Sequence, residues 1–91
     1  MAAYIITYDL NKQKDYPAIY EAIKGISGTW CRPTESTWIT ITTQTATEIR
    51  DHLRKSCDAD DSIFVAKLAS PPDAAWVGLA QAVSDWLKAN L

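Results

Sequence analysis

An α+β fold, with helices gathered on one face of a small antiparallel sheet, is what this sequence predicts, and two observations carry the prediction. Segments rich in β-branched and aromatic residues alternate with segments whose apolar residues recur at helical spacing. Their order is strand, helix, strand, strand, helix, strand, with one further helix at the end. The two middle strands are separated only by a short proline-bearing turn and so form a hairpin, whereas the outer strands reach it through helices. A chain of 91 residues is enough for one domain with a modest core. Its 47% apolar and 22% charged residues exclude intrinsic disorder.

The first strand runs from Ala3 to Tyr8. Alternation sets Tyr4, Ile6 and Tyr8 on one face and Ile5, Thr7 and Asp9 on the other, so both faces need cover. After the polar stretch Asn11 to Asp15, Pro17 falls in the first turn of a helix, where a missing N–H is tolerated. Tyr16, Ile19, Tyr20 and Ile23 form the stripe of this helix, and Gly25 stops it. Strands at Thr29 to Arg32 and Thr37 to Thr42 are joined around Pro33 to Ser36. Pro33 cannot donate to a ladder, which predicts an edge strand.

Thr45 to Glu48 reads TATE, a capping box in which hydroxyl and carboxylate satisfy free amides reciprocally. The helix it opens turns Ile49 and Leu53 inward and leaves Arg50, Asp51, Arg54 and Lys55 outside. The acidic turn CDADD ends it, and Ser62 to Ala69 is the last strand. Pro71 and Pro72 then stop the chain, and Asp73 is the expected N-cap of an amphipathic helix striped by Trp76, Leu79, Ala80, Val83, Trp86 and Leu87. Two strand-helix-strand units around a hairpin describe a ferredoxin-like sandwich over residues 1–69. Residues 70–91 form a helical extension that covers the free face of its own sheet or of a partner's.

Net charge is −2 and the pI about 5.1, which supplies no global basic field for a phosphate backbone. No apolar run is long enough to cross a bilayer, and the first residues lack a secretory pattern, so the expectation is a cytoplasmic protein with no membrane partner. Cys31 and Cys57 are far apart, with one histidine, His52, in the chain. They are read as reduced thiols and not as zinc ligands. Trp30 and Trp38 on adjoining strands could stack with bases, but with little positive charge nearby, cover by the last helix or a second subunit is the expected use.

Asp9 has two readings. It is either a strand-ending carboxylate that accepts loop amides, or a metal ligand at the mouth of the sheet. YIITYDL with its Tyr8–Asp9 pair, EST leading into the third strand and DADDSIFVAKL leading into the fourth resemble, from Ala3 to Leu68, the CRISPR-associated Cas-two family and its relatives, among them virulence-associated protein D. The resemblance implies a homodimer that cleaves RNA or DNA as an endonuclease or endoribonuclease. Mg²⁺ or Mn²⁺ would be held between two copies of Asp9, with Lys12, Lys14, Arg32 and Ser36 on phosphate. One carboxylate per chain suffices only in a dimer, and Mg²⁺ suits such an oxygen-only site. The family is functionally mixed, so the resemblance also implies an alternative: a catalytically silent dimeric module that binds protein or nucleic acid.

Overall fold

The computed structural model describes residues 1–12 and 15–91. Lys14 therefore lies outside the described residues. The element order is β1 (Ala2–Asp9), α1 (Tyr16–Lys24), β2 (Trp30–Thr34), β3 (Thr37–Thr42), α2 (Ala46–Arg54), β4 (Ser62–Lys67) and α3 (Gln81–Asn90). The strands form one sheet in the order β2-β3-β1-β4, every pair antiparallel, which is the ferredoxin-like α+β arrangement. Thr7 aligns with Thr37 on one side and with Phe64 on the other, and Asp9 with Ser62.

Strand alternation in β1 divides the protein into two cores. Tyr4, Ile6 and Tyr8, joined by Trp38, pack against Ile19 and Ile23 of α1 and Ile49 and Leu53 of α2. The capping box at the start of α2 is present in full: Thr45 N–H donates to Glu48 Oε1 at 3.0 Å and Glu48 N–H to Thr45 Oγ1 at 3.2 Å. Pro17 lies in the first turn of α1, but the Asp15 side chain makes no capping bond. On the opposite face Cys31 and Ile39 are sealed by Leu87 of α3, flanked by Ile5, Val83 and Trp86. The last helix thus covers its own sheet.

Five expectations are corrected. The helix expected from Asp73 starts at Gln81, and Asp73 caps nothing. The chain must travel from β4 at one edge of the sheet to the neighbourhood of β2 at the other, three strand spacings of about 4.8 Å. Gly78 turns at φ +77°, and Ala80, just before α3, is extended at ψ 147°. Trp76 consequently leaves the apolar stripe; it is 36% exposed, and its indole N–H donates to Ser84 Oγ at 3.0 Å. Trp30 and Trp38 are covered by α1 and not by α3, because both sit on the helix face, with ring centroids 4.9 Å apart. Pro33 lies inside β2, at an irregularity between Cys31 and Thr34, so the turn is only Glu35–Ser36. The last strand stops at Lys67, short of Ala69.

β2 is an edge strand, as Pro33 requires. No described helix is long and apolar enough to cross a membrane.

Leu87 is 3% exposed and central to the second core. Leu87→Ala is expected to lower stability by about 2–4 kcal/mol, read by urea denaturation, and by the same amount at every protein concentration because the helix docks within its own chain.

Candidate functional site

Asp9 ends β1 on the face that α3 covers, beyond the reach of that helix. Its carboxylate is exposed and makes no hydrogen bond or ion pair with any described residue. Thr7, Ser62 and Phe64 line a shallow depression of about 230 Å³ beside it. Phe64 is 61% exposed there.

The loop-ordering role that would make Asp9 a structural residue belongs to Asp61 instead. Asn11 N–H donates to Asp61 Oδ1 at 2.9 Å and Asp58 N–H to Asp61 Oδ2 at 2.8 Å, while the Asn11 side-chain amide donates to Asp60 O at 2.7 Å. These bonds stitch the β1–α1 loop to the α2–β4 loop. Asp15, Asp58 and Asp61 converge at this seam, with carboxylate oxygens within 4.8 Å of one another, close enough to hold a metal ion. One oxygen of Asp15 is buried with no hydrogen-bond partner. Lys12 Nζ stands 2.9 Å from Asp58 Oδ2 and supplies positive charge to the cluster. The hydrogen bond with Asp58 is the main reason the Lys12 ammonium is held above its ordinary pKa.

Of the phosphate ligands expected from the resemblance, Arg32 lies on the face of the sheet opposite Asp9. Arg32 points to the helix face. Its guanidinium lies 4.3 Å above the Tyr20 ring and 5.4 Å from the Trp38 ring, donates to Tyr20 OH at 2.9 Å, and donates through Nε and Nη2 to Glu35 O at 2.9 and 2.7 Å. In the same network the Trp38 indole N–H donates to Tyr8 OH at 2.9 Å, which donates to Glu35 O at 3.3 Å. Burial is the main cause of the upward shift of the Tyr8 phenol. Ser36 is half-buried in the turn beside Tyr8, whose N–H its carbonyl accepts at 3.3 Å. His52 is half-buried, with Nε2 2.9 Å from Ala22 O, a packing role.

The acidic trio escapes sequence reasoning because its members are 46 residues apart at the widest. The available signal was topological: β1 and β4 are antiparallel neighbours, so the loop after one and the loop before the other share an end of the sheet.

Both cysteines are free. Burial pushes the Cys31 thiol from 9.0 up to about 11, and burial, followed by Asp61, Asp15 and Asp58, raises Cys57. A raised thiol pKa adds stability that is complete below pH 9 and lost as pH climbs toward 11. The unfolding free energy is expected to fall across that window, and less steeply in Cys31→Ala. Arg32→Ala is expected to cost about 1–3 kcal/mol in urea denaturation, with Arg32→Lys restoring only part of it, since an ammonium cannot both stack and fork.

No protein-family model matches this sequence, and no solved structure matches the chain.

Proposed function

We propose that this protein is a homodimeric binding module that resembles the Cas-two group in fold but lacks its phosphodiester chemistry. The observation that carries this reading is the placement of the cations. Arg32 is locked among Tyr20, Trp38 and Glu35 on the helix side of the sheet while Asp9 lies on the other, and Lys12 is already paired with Asp58 where the loops meet at the sheet's end. Cleaving a phosphodiester needs metal and positive charge focused on one phosphate. Here the sheet stands between Asp9 and Arg32, and Lys12 is engaged by a carboxylate. The acidic net charge works in the same direction, and the exposed Phe64 suits a protein partner, a second copy first of all.

One observation favours the second reading, a nuclease dimer acting on RNA or DNA: the Asp9 carboxylate is exposed and has no structural partner. In that reading Asp9 from both subunits holds Mg²⁺ or Mn²⁺, which would supply Lewis-acid activation of the scissile phosphate. Labelled single-stranded RNA, single-stranded DNA and duplex DNA, incubated with either metal and with wild type or Asp9→Asn, separate the two. The expected outcome is no cleavage by either protein. Cleavage by wild type that disappears in Asp9→Asn overturns the binding-module reading.

A further inference from the structure

We infer that the partner seated on β4 is a second copy of this chain, its own β4 pairing antiparallel about a two-fold axis between the two Phe64 residues. The inference deepens the dimeric-module reading by naming its interface.

The two edges of the sheet differ. β2 carries Pro33 and a register irregularity, features that discourage a further strand. β4, Ser62–Lys67, has neither proline nor bulge. Leu68 N–H donates inward to Ala3 O at 2.9 Å, and Leu68 continues the register of β4 with β1. By strand alternation the even-numbered residues of β4 therefore bond toward β1, and Ile63, Val65 and Lys67 present their N–H and C=O groups outward. No backbone bond from another described segment reaches these groups. The edge is open.

Three conditions select one pairing. A two-fold axis normal to the sheet keeps equivalent faces together, so Phe64 must oppose an even-numbered residue. Antiparallel pairing brings the acidic end of one β4 to the basic end of the other, whereas parallel pairing sets like charges side by side. Lys67 is exposed and has no acidic partner among the described residues of its own chain, while Asp60 and Asp61 precede the strand. Only the register that sets Phe64 opposite Phe64 also sets Asp61 opposite the partner's Lys67. In that register Ile63 and Val65 form the hydrogen-bonded pairs with their outward groups. Phe64 falls at the non-hydrogen-bonded position, where facing side chains are closest. The exposed Phe64 ring is covered by its symmetry mate, and the two sheets become one of eight strands.

The same register has a consequence for Asp9. The two copies of Asp9 are separated by three strand spacings, about 14 Å laterally, too far to share one ion.

The test combines sedimentation across a concentration series with cross-linking in a Cys57→Ser background. The expected results are a dimer that weakens with salt, and a dissociation constant raised at least about tenfold by Lys67→Glu and by Val65→Pro, each removing an interaction of that size. Val65→Pro deletes an outward N–H and leaves the β1 ladder intact, and Lys67→Glu alters only an exposed side chain. Phe64→Cys should form an intermolecular disulfide on mild oxidation, while Ser62→Cys alone should not. A dimer that ignores both edge variants and fails to cross-link through Phe64→Cys overturns this interface and leaves the dimeric module standing. A monomer at every concentration overturns both.

Discussion

A single sheet with both its helices on one side has a second apolar face, and everything distinctive about this protein follows from how that face is covered. Ile5, Ile39 and Cys31 cannot be left in water at a cost of about 25 cal/mol per Å² of apolar surface. The remaining chain supplies one ten-residue helix, long enough to seal the end of the sheet around Leu87 but not the end around Thr7, Asp9 and Phe64. The face is thus divided into a dry half and a bare half. The bare half adjoins the sheet's undefended edge, so one flank of the molecule concentrates its unused apolar area and its unused backbone groups.

The sheet also sorts charge. On the helix side, Arg32 stacks on Tyr20 and Trp38 and donates into the β2–β3 turn, tying an edge strand that Pro33 weakens back to the core. Lys12 sits against the acids that join the two loops at the other end. Arg32 and Lys12 are thus structural charges, and the far face of the sheet keeps an exposed carboxylate, Asp9, beside an aromatic ring.

How much of this was legible varied with the range of the interaction involved. The faces of β1, the TATE cap and the edge position of β2 all follow from residues within a few positions of one another, and the structure has them. The start of α3 was not legible, because its placement depends on the width of the sheet the chain must cross, a quantity absent from residues 70–80. The same holds for the tryptophans: Trp30 and Trp38 could be assigned to adjoining strands, but which layer covers them is a tertiary fact. At Asp9 the sequence left two roles open, and the bonds that would have made it structural are made by Asp61, far along the chain. Local chemistry was readable; the meeting of distant loops was not.

The manner in which α3 is attached bears on how the protein breathes. A helix of ten residues does not persist in water by itself, and beyond Leu68 the irregular stretch before it joins no strand. Its order is borrowed from the sheet surface beneath it. Release of α3 is therefore a partial opening of the native state that melts the helix as it departs, while the β-α-β-β-α-β body keeps its larger core. Such an opening uncovers Cys31 and Ile39 together, turning the protein transiently from one with half an exposed face into one with a whole one. The same geometry orders assembly in time: the sheet has to exist before the last helix has anything to fold upon.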